Sequence, residues 1–277
     1  MARIQGWRRA SPFSWASDRP LVMGIVNVTD DSFSDGGRFR DPKRAIEHGL
    51  ALAAEGADLV DVGGESTRPG AAPVTEEEEL RRVLPVIEAL AREGVPVSAD
   101  TMKPGVMRSA IDAGCAVVND VNAFGEPGAV EAVRGADVGL VVMHMQGTPR
   151  TMQEDPRYGD VAAEVGGFLR ARARELESAG IARSRIALDP GFGFGKTLEH
   201  NVALFRAIPA LAAAGYPLLV GVSRKRMLGD IAGRGIAERA AASVAAALLA
   251  AQNGARILRV HDVKETVDVM KVWQALR

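Results

Sequence analysis

Short aliphatic runs recur along the chain, and each is followed by a stretch in which apolar residues repeat with helical spacing. The runs are apolar at successive positions rather than at every second one, which is typical of strands buried on both faces of a parallel sheet. Eight of them are predicted as strands, at residues 21–26, 58–62, 95–99, 116–118, 138–143, 185–188, 217–222 and 256–260. The alternation of strand and helix predicts a parallel sheet that is covered by helices.

Two local signals predict where helices begin. Thr75 is followed three residues later by Glu78, which is the spacing of a capping box, and the helix that it opens is predicted to run to about Arg92. Glu76 to Glu79 are interpreted as the solvated start of this helix, where the helix dipole favours acidic residues. Pro104 suits the first turn of the next helix, because a proline there lacks an N–H that the helix does not use.

The length of the chain favours one closed barrel. The 277 residues contain no Pro/Gly/Ser-rich linker or charge run that would divide them, and eight strand–helix units match the roughly 250 residues of a (β/α)8 barrel. We predict an α/β fold in which residues 1–277 form a single (β/α)8 TIM barrel, with residues 1–20 as a short N-terminal extension. Trp7, Phe13 and Trp15 are expected to pack where this extension plugs or flanks the barrel. An open doubly wound sheet is the alternative.

Composition narrows the class of protein. The 34 Lys+Arg residues balance 35 Asp+Glu residues, which argues against a general polyanion-binding surface. Cys115 is the single cysteine, so an internal disulfide framework and a multi-cysteine zinc site are excluded, and a reducing compartment is favoured. The longest small-apolar stretch, residues 240–251, is shorter than the ~20 residues that span a bilayer, and no secretory signal is visible. We therefore expect a cytoplasmic protein that acts on small molecules, without a membrane or nucleic-acid partner.

Polar residues follow the predicted strands where each one ends. In a barrel these strand ends converge on one mouth, where catalytic residues sit. The residues concerned are Asn27, Glu65, Asp100, Asn119, His144, Asp189, Ser223 to Lys225, Arg259 and His261.

One loop looks like a phosphate loop but lacks the required spacing. Only three residues separate Gly191 from Gly195 and Lys196, where the Walker A pattern needs four. A dinucleotide site is also disfavoured, because no G-x-G-x-x-G pattern follows a strand. A strand-end carboxylate followed by a glycine-rich turn with two phenylalanines suits a flat aromatic ligand, although a plain barrel loop can look the same.

Two further loops and one histidine complete the candidate chemistry. Residues 27–37 and 61–70 are too long and polar for tight turns, which predicts mobile loops over the mouth. Arg259 and His261 are two residues apart, so both can face the mouth and form an anion pocket. His144 is interpreted as a core or rim residue rather than a metal ligand, since no second histidine stands at ligand spacing.

Taken together, these segments closely resemble the dihydropteroate synthase family. The resemblance covers nearly the whole chain, and the motifs occur in the family's order, with Asp30 standing where the family usually has proline. The matching segments are residues 23–37, 61–70, 100–101, 119–120, 143–147, 189–196, 223–225 and 259–263.

The resemblance implies a folate-pathway transferase. Its reaction joins 6-hydroxymethyl-7,8-dihydropterin pyrophosphate to 4-aminobenzoate with Mg2+, giving 7,8-dihydropteroate and pyrophosphate, and sulfonamides are expected to compete with 4-aminobenzoate. A homodimer is also implied, and the Ala-rich segment 240–251 would permit close helix packing. Loss of pyrophosphate is expected to pass through a carbocation-like state.

The resemblance also assigns residues to each ligand. Pterin binding is expected of Asp100, Asn119, Met143, Asp189, Lys225 and Arg259, of which Asp100, Lys225 and Arg259 are the expected catalytic residues. The pyrophosphate pocket is expected to comprise Asn27, Arg259 and His261, with Asn27 also contacting Mg2+. Aminobenzoate binding is expected of Phe33, Ser66, Thr67, Arg68, Pro69, Phe194, Ser223 and Lys225.

Two other functions share part of this sequence pattern. A methyltetrahydrofolate-binding module would share the barrel and the Asp/Asn cluster, but it would need neither the anion pocket nor the carboxylate site around Ser223. A metal-dependent aldolase is disfavoured, because the sequence offers neither a Schiff-base environment nor a convincing His/carboxylate triad.

Overall fold

A computed structural model of the chain describes residues 13–29, 42–68 and 70–276. Within these ranges, eight parallel strands form one sheet in the order β6-β5-β4-β3-β2-β1-β8-β7. They are β1 Leu21–Asn27, β2 Leu59–Gly63, β3 Val97–Asp100, β4 Val117–Asp120, β5 Gly139–Met143, β6 Ile186–Asp189, β7 Leu219–Val220 and β8 Ile257–Val260. A parallel bridge between Leu188 and Leu218 joins the two ends of this order. The sheet therefore closes into a barrel, which confirms the predicted fold and excludes the open doubly wound sheet.

Helices connect the strands around the outside of the barrel. They are α1 Pro42–Ala54, α2 Glu76–Arg92, α3 Pro104–Asp112, α4 Ala129–Arg134, α5 Val161–Ser178, α6 Leu198–Arg206, α7 Ile208–Ala212, α8 Arg226–Ala232, α9 Ala240–Gln252 and α10 Val263–Leu276, with 3-10 turns at Arg183–Arg185 and Ile236–Glu238. Helix α2 begins where predicted, since the Thr75 hydroxyl accepts a hydrogen bond from the Glu78 N–H at 3.2 Å. The Glu78 carboxylate contacts Arg81 and Arg82 instead of completing a capping box. In the described ranges, no helix has both the length and the apolar character needed to cross a bilayer.

The strands bury both faces because their side chains alternate between the barrel interior and the helices. Towards the N-terminal ends of the strands, Trp15 packs with an inner set made up of Leu21, Met23, Leu59, Val117, Val141, Ala187, Leu219 and Ile257. Intervening residues such as Val22, Val60 and Val118 belong to the larger cluster that includes the helices. Two residues further along five of these strands, the inner positions hold Asp61, Asn119, Met143, Asp189 and Arg259. The interior thus changes from apolar to polar towards the C-terminal ends of the strands.

The described part of the N-terminal extension covers the opposite end of the barrel. Trp15 is 3% exposed, and its indole N–H donates to the Arg185 carbonyl at 2.8 Å. Phe13 packs edge-on against Trp15, with 5.1 Å between the ring centroids. Trp7, which was also expected to pack here, lies outside the described residues.

Candidate active site

A buried ion cluster lies at the C-terminal ends of β2, β3, β4 and β8. Arg259 donates from Nε to Asp61 Oδ2 at 2.6 Å and from Nη2 to Asp100 Oδ2 at 2.8 Å. The Asn119 amide donates to the same Asp61 oxygen at 3.2 Å. One guanidinium is therefore held at two points by two carboxylates, which fixes the plane of the group.

The electrostatics of this cluster follow from burial and from its two acids. Burial, and then repulsion from Asp61, raises the pKa of Asp100 to about 8, while Arg259 acts in the opposite direction. Burial disfavours the charged form of Arg259, but attraction by Asp61 and Asp100 outweighs it and raises the pKa of the guanidinium. Arg259 thus stays charged, and Asp100 can gain or lose a proton near neutral pH.

The cluster also contains hydrogen-bond acceptors that other protein groups do not use. Among the described residues, Oδ1 of Asp61 and Oδ1 of Asn119 are buried and have no hydrogen-bond partner. Buried polar atoms are almost always paired, and an unpaired one costs about 1–3 kcal/mol. Each of these two oxygens is an acceptor that an N–H donor can satisfy.

Asp189 and Lys225 form a second charged group beside this cluster. The Gly191 N–H donates to Asp189 Oδ1 at 2.7 Å, and burial raises the pKa of Asp189 although Lys225 opposes the shift. The Lys225 ammonium donates to the Phe192 carbonyl and lies 4.7 Å from the centroid of the Phe194 ring. Burial lowers the pKa of Lys225 to about 8, against the attraction of Asp189.

The turn after β6 is held from below by Lys196. Its ammonium donates to the carbonyls of Gly191 and Phe194, both at 2.9 Å, and lies 3.1 Å from His144 Nδ1. Gly191 has φ +66°, and a Cβ there would lie 1.9 Å from the His144 carbonyl oxygen, so glycine is required. The Lys196 ammonium therefore binds carbonyls of its own turn. A Walker A lysine would instead reach towards a phosphate.

Burial accounts for the ionisation of the two residues that meet under this turn. It lowers the pKa of Lys196 to about 7, although attraction by Asp189 acts against the shift. Burial, followed by repulsion from Lys196, lowers the pKa of His144 to about 3, so the imidazole is neutral and accepts at Nδ1. His144 is 7% exposed, which fits its interpretation as a core or rim residue.

The loops after β7 and β8 contact each other. Ser223 Oγ accepts from the His261 N–H at 3.1 Å and lies 3.1 Å from His261 Nδ1. Burial and the nearby Arg224 lower the pKa of His261 to about 3. Arg224 has a left-handed backbone, with φ +56°, and forms two contacts with Asp262, of 2.5 and 3.1 Å. His261 thus pairs with Ser223 while Arg259 pairs with two acids, so the single anion pocket expected of Arg259 and His261 stays a prediction.

The other residues expected from the sequence are divided between described and undescribed parts of the chain. Asn27 ends β1, Met143 ends β5 opposite Asp189 in register, and both therefore lie at the mouth. Ser66, Thr67 and Arg68 are half-buried in the loop after β2. Phe33, Pro69 and the unusual Asp30 lie outside the described residues.

Sequence reasoning missed several residues that shape the site, namely Asp61, Glu79, Lys103 and Lys196. For Asp61, the sequence signal was its position within a buried strand. A carboxylate that faces the interior there needs a partner, and this need indicates a polar site. Glu79 was read as a solvated residue of the first turn of α2, yet it is fully buried and contacts Lys103, so that interpretation was wrong. The described residues contain no group of three or more His, Cys, Asp or Glu side chains that could enclose a metal ion.

Both the sequence and the fold are similar to those of known proteins. The family of pterin binding enzymes matches residues 23–261. Dihydropteroate synthase of Neisseria meningitidis serogroup C is 52% identical over 273 residues, which cover 97% of this chain and 96% of that protein. A structure of Xanthomonas albilineans dihydropteroate synthase with 4-aminobenzoic acid has a TM-score of 0.87 and 55% identity, covering 94% of this chain and 93% of that one. A Yersinia pestis dihydropteroate synthase structure with a sulfonamide drug has a TM-score of 0.92 and 46% identity, covering 96% and 97% respectively.

Proposed function

The chain belongs to the dihydropteroate synthase family of pterin-binding enzymes, and we propose which of its residues perform the family reaction. The enzyme is a transferase of folate biosynthesis. It condenses 6-hydroxymethyl-7,8-dihydropterin pyrophosphate with 4-aminobenzoate to give 7,8-dihydropteroate and pyrophosphate. The C–O bond between the pterin methylene and pyrophosphate breaks, a C–N bond to the arylamine forms, and the amine loses a proton.

The observation that carries the residue assignment is the set of buried acceptors at the barrel mouth. The pyrimidine edge of a pterin presents an amino group and a ring N–H beside a carbonyl. Asp189 accepts the donors of that edge, Lys225 donates to the carbonyl, and Asn119 binds the rest of the ring. The unpaired Oδ1 atoms of Asp61 and Asn119 support this arrangement, because a pterin brings the donors that they lack.

The faces of the ring are bound by two side chains of different character. Arg259 stacks its guanidinium on the pterin, which its two carboxylate contacts favour because they fix its plane. Met143 is buried at the end of β5 and packs on the ring as a polarizable, apolar surface. The pterin is thereby oriented with its methylene towards the loops.

Asp100 and Arg259 support the charges that develop when the C–O bond breaks. Cleavage leaves positive charge on the pterin methylene, and this charge favours the ionised form of Asp100, whose pKa is about 8 before it develops. Arg259, His261 and Asn27 border the departing pyrophosphate, where the guanidinium stabilises the negative charge. The carbocation-like character of this step remains a proposal.

The second substrate is proposed to enter between the loops after β1, β2, β6 and β7. Ser223 binds its carboxylate, and Phe194, Phe33, Pro69 and the Lys225 stem frame its ring. Ser66, Thr67 and Arg68 close over it. Support comes from the ammonium of Lys225, which lies over the Phe194 ring and so places both at one wall of the pocket. Sulfonamides are expected to compete at this position.

We propose that Mg2+ takes part and that Asn27 is its ligand from the protein. An amide oxygen is a hard donor of the kind Mg2+ prefers, and a Mg2+ ion that is shared with substrate phosphates needs few protein ligands. When bound, the ion neutralises charge on the leaving group.

We also propose a homodimer that acts in the cytoplasm. A surface cavity of about 550 Å3 is lined by residues of α9 and α10, most of them apolar, including Leu248 and Trp273. Leu249, Val272 and Leu276 on the same two helices are exposed. Sedimentation velocity of the wild type and of Val272→Glu tests this assignment, since a charge at the interface should shift the protein to a monomer.

The function is tested by measuring pyrophosphate release and dihydropteroate formation with Mg2+, with and without 4-aminobenzoate. Formation of dihydropteroate is the expected result. Release of pyrophosphate without 4-aminobenzoate would support the dissociative step, whereas release only in its presence would refute it. Pterin binding without any turnover would instead favour the methyltetrahydrofolate-type binding module.

A further inference from the structure

Three charged side chains connect the loop between β2 and α2 (residues 64–75, the β2–α2 loop) to the start of α3. The Lys103 ammonium contacts Glu65 Oε2 and lies 2.5 Å from Glu79 Oε2. Glu65 belongs to the loop, Glu79 lies in the first turn of α2, and Lys103 directly precedes α3. We call these three residues the Lys103 bridge, since one ammonium joins three separate segments.

The backbone at the beginning of the loop is fastened to α2 as well. The Gly64 carbonyl accepts from Arg82 Nη1 at 3.1 Å. A Cβ at Gly64 would lie 2.7 Å from Val83 Cγ1 and 3.0 Å from Glu79 Cγ, so a side chain there would push the loop away from the helix. Glycine thus permits the close approach on which the Lys103 bridge depends.

Glu65 also connects the two ends of the loop. While Oε2 contacts Lys103, Oε1 accepts from the Val74 N–H at 3.2 Å. The half-buried residues Ser66, Thr67 and Arg68 follow Glu65 directly. Their positions are therefore set by a stem that is fixed at both ends.

Lys103 is the single positive charge of the bridge, and both carboxylates depend on it as their partner. Glu79 is 0% exposed, and burial raises its pKa although hydrogen bonds from Lys103 and Thr101 oppose the shift. Without the ammonium, a buried carboxylate takes up a proton rather than remain charged in apolar surroundings. Glu65 would also lose its ion pair with the segment that precedes α3.

We propose that the Lys103 bridge positions the β2–α2 loop so that Ser66, Thr67 and Arg68 meet 4-aminobenzoate. The identity of this ligand rests on the proposed function. Glu65 and Lys103 are positioning residues, because they act on the substrate through the loop. The pterin is assigned to other side chains, and within the described part of the chain Lys103 forms no hydrogen bond or ion pair with the ion cluster of Arg259, Asp61 and Asp100. The Lys103 bridge therefore governs the second substrate selectively.

The test compares Glu65→Gln and Lys103→Met with the wild type. Both variants are expected to raise the KM for 4-aminobenzoate about tenfold, since each removes a charge-assisted hydrogen bond. The Kd for 6-hydroxymethylpterin should change by less than about twofold, because its binding groups remain in place. The double variant should raise the KM no more than the single variants do, since both break one bridge.

Two further variants separate positioning from general destabilisation. Lys103→Arg restores a cation and should return the KM to near the wild-type value. Arg92→Met removes an exposed ion pair with Glu88 at the far end of α2 and should leave the KM unchanged. Amide hydrogen exchange at residues 66–68 should accelerate at least about tenfold in Lys103→Met, while exchange in the core of α2 stays the same.

The proposal is overturned if the KM for 4-aminobenzoate and the loop exchange stay at wild-type values in both variants. It is equally overturned if pterin affinity and KM worsen together, since that pattern indicates a global structural effect. The exchange comparison needs no substrate. A wild-type protein that forms no dihydropteroate would therefore refute the proposed function without deciding whether the bridge holds the loop.

Discussion

Replacement of Asp61 by asparagine should change how Asp100 binds protons. Asp61 Oδ2 accepts from Arg259 at 2.6 Å and from Asn119 at 3.2 Å, and Arg259 also donates to Asp100. Asparagine keeps the size of the side chain and an oxygen that can accept from Arg259. What it removes is a buried negative charge next to Asp100.

The magnitude follows from the geometry of the shared guanidinium. Two carboxylates that contact one guanidinium lie roughly 5 Å apart, and at an effective dielectric constant of about 20 their repulsion is about 3 kcal/mol. Since about 1.4 kcal/mol corresponds to one pKa unit, the loss of this repulsion should lower the pKa of Asp100 by about 2 units. The pKa of Asp100 is about 8 with Asp61 in place, so a clearly lower pKa is expected in Asp61→Asn. The shift is downwards because an ionised Asp100 no longer faces a like charge.

The assay is a pH titration of aspartate carboxyl carbons by 13C NMR, with the Asp100 signal assigned from its absence in Asp100→Asn. Asp58→Asn is the matched control, because Asp58 is also a buried aspartate paired with an arginine, Arg19, at 2.6 Å. It directly precedes β2, at the opposite end of the strand from Gly63. The control should leave the titration of Asp100 unchanged. An Asp100 pKa within about half a unit of wild type in Asp61→Asn would refute the electrostatic coupling.

Other substitutions test the turn, the division of the site and the barrel plug. Lys196→Met leaves two carbonyls and an imidazole without their donor, so the free energy of unfolding in urea should fall by about 2–3 kcal/mol. Pterin should also bind more weakly, because Gly191 no longer holds Asp189, and an unchanged pterin affinity would contradict this role. Asp189→Ala should weaken pterin binding by about 100-fold or more, whereas Ser223→Ala should mainly raise the KM for 4-aminobenzoate. If each folded variant bound both ligands equally weakly, the assignment of the two residues to different ligands would be refuted. Trp15→Ala should lower the free energy of unfolding by about 3–5 kcal/mol and leave kcat unchanged. A reduced kcat in the folded variant would show that packing of the N-terminal extension affects the active site at the other end of the barrel.

The fold could be predicted because a strand that is buried on both faces has apolar residues at consecutive positions, and this pattern is visible in the sequence. The boundaries were less accurate, since an apolar run reports burial and a strand is defined by its hydrogen bonds. Residues 217–222 form one apolar run, yet only Leu219–Val220 pair as β7. The preceding Leu218 takes part in a single bridge to Leu188, where the barrel closes. The length of an apolar run therefore overestimates the length of the strand where β6 and β7 close the barrel.

The partners within the site could not be predicted in the same way. Strand-end polarity placed Asp100, Asn119, Asp189 and Arg259 at one mouth, because alternation along a strand fixes the side on which a residue lies. The hydrogen bonds of Arg259 span 198 residues to Asp61 and 159 residues to Asp100. Such contacts depend on barrel closure and on side-chain rotamers, neither of which leaves a local sequence pattern. The buried Glu79 shows the same limit, since its partner Lys103 lies on another segment.

The proposed chemistry depends on the arrangement of charge at the mouth rather than on the net charge of the chain. The whole chain has a formal net charge of -1, but the mouth collects both signs in surroundings where each charge is costly. Burial shifts acids and bases in opposite directions, so the pKa of Asp100 rises to about 8 while that of Lys225 falls to about 8. Both groups can therefore change charge near neutral pH, and ligand charge decides which form prevails. In the proposed mechanism, a methylene that becomes positive favours ionised Asp100, and the pterin carbonyl to which Lys225 is proposed to donate favours the charged form of Lys225. Burial thus leaves one acid and one base at the mouth whose protonation can respond to the charge of a bound ligand.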